Sequence, residues 1–310
     1  MNKSSVKRFT TFVKITGVSI ILILMVCFWG NASTQRSSLQ MSIDRGIEVY
    51  LQELKSENVE SRQRAVLGLI QAKPEPEDVV PSLLQALKDP NNGVRGNAAL
   101  ALGRVGVASS EVVDALAALA SEDNHSGVRL NAIGAIGKLQ QVSPSHVTAL
   151  AEMLQDEDQR VCNAVAVTLG HLGSRSQAAV PALVEASHDQ DAVMREYALY
   201  ALGLVGASSP NSTEILAAVA EALRDSNRRV HLSAIRALGD IRPVTSVATT
   251  ALMDALNEQD AMARKTAIYA LTKLGPDAKV AIPALTEVMH DQDASIRAAA
   301  VHALQVVEAV

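Results

Sequence analysis

The stretch DPNNGVRGNAALALGRVG, residues 89–106, reads as a helix start followed by a helix. Asp89 and Asn91 precede a run in which Val94, Ala98, Leu102 and Val105 recur at helical spacing. Nearly the same phrase returns as DQDAVMREYALYALGLVG at 189–206 and, more loosely, as DQDASIRAAAVHALQVV at 291–307. A single globular domain has no reason to repeat one helix, whereas a stack of like units does.

One small or apolar position recurs along the chain as Ala65, Ala98, Ala132, Val165, Ala198, Ala234, Ala267 and Ala300, at intervals of 33, 34, 33, 33, 36, 33 and 33 residues. Four residues before these anchors stand Ser61, Val94, Val128, Val161, Met194, Val230, Ala263 and Ile296. Four after stand Leu69, Leu102, Ile136, Leu169, Leu202, Leu238, Leu271 and Leu304. Those offsets share one face of a helix. A further helix precedes each, marked by apolar pairs such as Leu83/Leu87, Leu150/Leu154, Leu252/Leu256 and Leu285/Met289. Pro81, Pro181 and Pro283 sit where a first helical turn tolerates a missing N–H. The prediction is eight helical hairpins.

The linker inside each hairpin has its own chemistry. Seven residues before the anchors, seven of eight positions are Asn or Asp, which cap the exposed N–H groups opening a helix; the exception is His125. Two residues earlier come Asp89, Asp123, Asp156, Asp189, Asp225, Glu258 and Asp291, with Ser56 in the first repeat. Six residues beyond each of those come Arg62, Arg95, Arg129, Arg195, Arg264 and Arg297. Acid and base thus recur once per repeat and are expected to form a structural ladder crossing repeat boundaries, an Arg fork suiting a carboxylate. Two rungs break the pattern: Cys162 takes the Arg place in the fourth repeat, where Asp156 is the acid, and His231 takes it in the sixth, beside Asp225.

Composition supports the same picture. Hydrophobic residues make up 48% of the 310 residues but aromatics only 3%, which points to closely packed helices with small contact residues. The formal net charge of −5 supplies no basic field for nucleic acid, and none is expected as a partner. With two cysteines, one of them in the apolar N-terminal run, there is no disulfide framework.

The N-terminus is a separate matter. Lys3, Lys7, Arg8 and Lys14 precede an apolar run from Ile15 to Trp29, and no acidic residue comes before Asp44. Residues 1–32 are therefore expected to be a membrane anchor or a cleaved signal peptide, followed by a polar linker at 33–43 and repeats at 44–310. The protein is expected to be anchored in the membrane by this segment, or exported if the segment is cleaved.

The motifs V-P-x-L-L-x-A-L-x-D and V-R-x-x-A-x-x-A-L-G, read from residues 80–89 and 94–103, resemble those of HEAT-repeat proteins, particularly the short HEAT-like repeats of phycobilin lyase subunits. The resemblance covers the chain beyond its N-terminal segment. It implies an all-α fold, a right-handed α-solenoid of about eight HEAT-like hairpins whose second helices line a concave face. It also implies that the Asp and Arg ladder is structural, and that the protein is a scaffold, an adaptor or an assembly factor. Two enzymatic alternatives come with the family. A phycobilin lyase or lyase-like chaperone has no short diagnostic motif to look for. A HEAT-like metal-dependent oxidoreductase of the deoxyhypusine hydroxylase kind holds iron through His-Glu pairs, and no His-Glu dipeptide occurs here. The nearest features, His188-Asp189 and His290-Asp291, lie three repeats apart. No P-loop, no G-x-S-x-G and no Cys/His metal spacing appears, so no catalytic residue, cofactor or metal is expected.

Function then falls to a surface. Two residues after the anchors stand Leu67, Leu100, Gly134, Val167, Tyr200, Arg236, Tyr269 and His302, on the side of each second helix away from its partner. The first four are small or aliphatic; the last four are aromatic, cationic or imidazole. Glu196 and Lys265 lie beside them, two before the anchors. Tyr and Arg dominate binding hot spots, so Tyr200, Arg236, Tyr269, His302, Glu196 and Lys265 are the expected partner-binding residues for a protein or peptide segment. Glycines five after several anchors, such as Gly103 and Gly239, serve either an open groove floor or close helix packing.

Overall fold

The computed structural model describes residues 46–72, 75–207, 212–242 and 244–309. The expected membrane segment at 1–32 and linker at 33–43 lie outside the described residues. Among the described residues every regular element is helical, and no helix is long and apolar enough to cross a membrane. The chain divides into two compact units, one ending at Val79 and one spanning Val80–Val310.

In the first unit, α1 (46–53) is followed by α2 (Val59–Ala72). Ala65 and Val66 are fully buried, and Leu69 nearly so. A side chain at Gly68 would collide with the ring of Tyr50, 2.4 Å from a built Cβ, so this glycine admits the aromatic ring of α1 against α2. Asn58 caps α2 through the Ser61 amide at 3.1 Å.

Helices continue in alternation: α3 (Pro76–Ala86), α4 (Asn92–Val105), α5 (Ser110–Glu122), α6 (Ser126–Leu139), α7 (Pro144–Glu152), α8 (Gln159–Leu172), α9 (Val180–Ala186) and α10 (Ala192–Gly206). They are followed by α11 (Ser212–Ala222), α12 (Arg228–Leu238), α13 (Ser246–Ala255), α14 (Ala261–Leu274), α15 (Ile282–Val288) and α16 (Ala294–Glu308). The described residues thus give eight hairpins in sequence order, with even-numbered helices as the second members. All eight anchor residues have no exposed surface, which makes them the centre of each hairpin's core.

In the second unit each even helix packs against the next: α4 on α6, α6 on α8, and so on to α16. At four of these six interfaces the contact is made by glycine against alanine. A Cβ on Gly103, Gly170, Gly203 or Gly239 would lie 2.8–3.0 Å from the Cα of Ala135, Ala201, Ala237 or Ala270 on the following helix. Close helix packing is therefore what these glycines do. The odd helices approach one another far less.

Helix starts follow the linker chemistry. Asn91, Asp158, Asp191, Asn227, Asp260 and Asp293 each accept an amide N–H of the following first turn, at 2.7–3.2 Å. His125 makes no such cap and bonds to the Asn124 side chain at 2.7 Å instead. Pro181 and Pro283 open α9 and α15 as expected, each after a 3-10 stretch (Gly173–Ala179 and Gly275–Ala281). Pro81 departs from expectation and lies inside α3, because the residues from Pro76 onward have already begun that helix.

Candidate functional site

The ladder runs from the arginine of one repeat to the acid of the next. Arg95 donates from Nε and Nη2 to the two Asp123 oxygens at 2.6 and 2.9 Å. Its Nη1 turns back to the carbonyls of Asp89 and Pro90 at 2.9 and 3.2 Å. Arg195 repeats the arrangement on Asp225 and Arg264 on Asp291, each with Nη1 on its own linker carbonyls. Arg129, almost fully buried, reaches Asp156 at 2.7 Å and the Asp123 carbonyl at 2.9 Å. Arg297 binds its own linker through the Asp291 and Gln292 carbonyls. The guanidiniums of Arg95, Arg129, Arg195 and Arg264 therefore each tie their own linker to the following repeat, whereas Arg297, in the last repeat, holds only its own.

The acids are preset for this role. Asp89, Asp123, Asp156, Asp189, Asp225 and Asp291 each accept the amide two residues on, at 2.7–2.9 Å. Burial alone would push the Asp123 carboxyl up, but the Arg95 bonds and the His125 amide outweigh it and hold it below the ordinary range. For Asp225 and Asp291 the guanidinium hydrogen bond is the main cause of a lowered value.

This direction corrects the reading of the two irregular rungs. Asp156 has a cation, Arg129 of the preceding repeat. The Cys162 thiol instead donates to the Asp156 carbonyl at 3.1 Å, so the acid left without its arginine is Asp189. Burial pushes the thiol above its ordinary value, as suits a packing residue rather than a nucleophile. Likewise His231 pairs with Glu258 of the next repeat at 2.9 Å, and with the Leu223 carbonyl, while Asp225 belongs to Arg195.

The row two after the anchors lies on the accessible side of the even helices. Tyr200 (α10) is half-buried; Arg236 (α12), Tyr269 (α14) and His302 (α16) are exposed, Tyr269 by 60%. Their helices pack in succession, α10 on α12 on α14 on α16. The Tyr200 hydroxyl meets His171 Nε2 at 3.1 Å, with the two rings edge to face. Glu196 is half-buried and paired with Arg229 at 2.8 Å, whereas Lys265 is exposed. In the matching aliphatic row Leu67, in the first unit, is 46% exposed, and Leu100 and Val167 are half-buried.

Several cross-repeat pairs escape a reading based on identical positions. Arg228 forks onto Asp260 at 2.5 and 2.8 Å, pulling that carboxyl down to about 2 while Asp260 also caps α14. His146 meets Asp114 at 2.6 Å, His188 meets Glu221 at 3.2 Å, and Lys273 pairs with Asp240. The signal available was a spacing of about one repeat between opposite charges, but each pair occurs once and carries no periodicity.

A search of curated protein sequences finds no relative that matches this chain. Among solved structures the chain is similar to YibA of Escherichia coli, with a TM-score of 0.54 and 20% identity over 86% of this chain and 96% of that one. It is also similar to the complex of CpcE and CpcF of phycocyanin lyase from Nostoc sp. PCC7120, with a TM-score of 0.46 and 24% identity over 73% of this chain and 92% of that one. The model of HEAT repeats matches at residues 47–137, 113–203 and 215–305. The hairpins, their buried anchors and the inter-repeat ladder all accord with that match, and the chain belongs to the HEAT-repeat family.

Proposed function

We propose that this protein is a non-catalytic scaffold or adaptor that binds a protein or peptide segment along its even-numbered helices. In this reading the repeats of the second unit wind as a right-handed solenoid with those helices on the concave side. The observation that carries the reading is the exposure of Arg236, Tyr269 and His302 at one equivalent offset on successive helices, continued by the half-buried Tyr200. Helix axes in contact lie roughly 8–10 Å apart, so a row of four such positions suits one extended segment rather than one small ligand. Residues 1–32 serve to bring the repeats to a membrane or across it, as an anchor or as a signal that is removed.

Affinity capture from detergent-solubilised membranes, with wild-type bait and an Arg236→Ala/Tyr269→Ala bait in parallel, tests this. A partner retained by the first and lost by the second is the expected result. Equal recovery by both baits counts against the row. Coexpression with a bilin and an acceptor protein tests the remaining alternative, since covalent chromophore absorbance on the acceptor would make the protein a lyase.

A further inference from the structure

Between consecutive odd-numbered helices of the second unit lie grooves whose lower ends reach the ladder. The groove between α9 and α11 contains His188, Arg195 and Arg224 opposite Glu221 and Asp225. The groove beside α5 contains Lys88 and Arg95 opposite Glu122 and Asp123. The groove between α7 and α9, about 380 Å³, is lined by Glu152, Glu185 and Asp189 and has no cationic residue in its lining. Ala151, Pro181 and Ala182 supply an apolar wall.

The missing charge has a definite origin. Asp189 occupies the position at which Asp123, Asp225 and Asp291 each receive a forked guanidinium from the preceding repeat. It is oriented by the same turn, accepting the Asp191 amide at 2.7 Å. The preceding repeat supplies Cys162, whose thiol ends on the Asp156 carbonyl. Asp189 is consequently exposed, whereas those three acids are partly buried, and it has no ion-pair partner among the described residues.

We propose that this groove receives an arginine side chain from a partner polypeptide, its guanidinium taking the place on Asp189 that the ladder arginine holds in neighbouring repeats. The three carboxylates attract the charge, and the alanine and proline wall accepts the aliphatic stem. Arginine is preferred over lysine because the equivalent acids are engaged by a planar fork with two parallel bonds. The groove lies between odd helices, away from the Tyr200–His302 row, and the two surfaces stand or fall separately.

The test is a fluorescein-labelled peptide with one arginine in a Gly/Ser/Ala background, compared with its lysine and citrulline twins. Each is titrated into the full-length protein in neutral detergent at low salt and followed by anisotropy. The arginine peptide should bind about tenfold or more tightly than the citrulline peptide, the size expected of charge-assisted hydrogen bonds. Asp189→Asn should erase that difference, and Cys162→Arg should block binding by filling the rung from within. Because Cys162→Arg changes a buried site, the exposed Asp189→Asn decides the matter if that variant does not fold. Tyr269→Ala should leave this binding unchanged, which separates it from the row on the even helices. Equal binding of arginine and citrulline peptides, or arginine binding insensitive to Asp189→Asn, overturns the proposal.

Discussion

Arg95 and Asp123, 28 residues apart in sequence, are joined by two parallel hydrogen bonds while the third guanidinium nitrogen holds the linker of its own repeat. The side chains are 13% and 4% exposed, so the pair lies between a surface bridge of small value and a buried one that is costly to break. Arg95→Ala leaves the Asp123 carboxylate buried with the His125 amide as its one remaining hydrogen bond and the His125 ring 4.0 Å away. Unfolding in urea should show a loss of about 2–4 kcal/mol. Arg95→Lys should recover little of it, since an ammonium cannot serve both Asp123 oxygens and two carbonyls at once.

Acid should act on the same rungs. The carboxyls of Asp123, Asp225 and Asp291 are lowered in the folded state, and Asp260 is lowered to about 2. A lowered folded value means the unfolded chain takes up protons first. The stabilisation is therefore complete well above the unfolded value of about 3.9 and is lost as pH falls below it and on through the lower folded value. Stability measured from pH 7 downward should hold until about pH 5 and then decline. In an Asp225→Asn variant, which cannot be protonated there, that decline should be shallower. His188 has the opposite sign: the Glu221 hydrogen bond and the Val184 carbonyl raise it. Its contribution is present below the unfolded value of about 6.5 and lost as pH rises through the folded one. Imidazole proton shifts in NMR should show Glu221→Gln returning His188 toward its ordinary value.

Two glycines should respond in opposite directions to the same substitution. A Cβ on Gly103 would meet Ala135 Cα at 2.8 Å and Cβ at 2.9 Å, both on a helix fixed by its own packing. Gly103→Ala should therefore cost about 1–3 kcal/mol through separation of α4 and α6. Gly134, in the middle of α6, has nothing within 4 Å of its built Cβ. Gly134→Ala should gain about 0.5–1 kcal/mol from helix propensity. Chemical denaturation of the two variants decides between packing and conformational freedom at each position.

Periodicity made the hairpins legible because the anchor, its neighbours four residues away and the capping Asn or Asp are all set by local helix geometry. Position alone says which residues are equivalent; it does not say to which copy an equivalent residue is joined. Asp156 and Cys162 are six apart in sequence and were natural partners on that ground, but the carboxylate of Asp156 faces Arg129 of the repeat before. The open acid at Asp189 follows only from the direction of the rung. Pro81 shows the same limit from the other side, since a proline in the first turn of α9 and α15 sits deeper in α3 when upstream residues extend the helix. Pairs such as Arg228 and Asp260 occur in one repeat only, so no repeated signal marks them.

Gly173 and Gly275 open the 3-10 stretches before α9 and α15 with φ of 57° and 58° and ψ of −128° and −135°. Nothing lies within 4 Å of a Cβ built on either, so a substitution there is resisted by the backbone alone. That region is sparsely available to residues with a Cβ, at a cost of order 1–3 kcal/mol. Gly173→Ala and Gly275→Ala should each lower stability by about that amount in urea. A change below about 0.5 kcal/mol would mean that the turn relaxes into another conformation.

The binding row makes the sharpest demand, because its members differ in how firmly the fold holds them. Tyr269 is 60% exposed and Arg236 is exposed on α12, so truncating either removes little from the folded state. Tyr269→Ala and Arg236→Ala should leave unfolding free energy within about 0.5 kcal/mol of wild type. Each should weaken partner binding by about 1–2 kcal/mol, as expected of hot-spot residues. Tyr200 is different: its hydroxyl meets His171 at 3.1 Å and its ring lies edge-on to the imidazole. Tyr200→Phe keeps the ring and releases only that hydroxyl, so a loss of affinity in this variant reports the positioning of the ring or direct use of the oxygen. His171→Ala separates these two, because it frees the Tyr200 ring without removing its hydroxyl. If Tyr200→Phe weakens binding and His171→Ala does not, the partner takes the hydroxyl directly. If both weaken it alike, His171 serves to hold the ring in place. Binding unchanged in all four variants would remove the row from the interface.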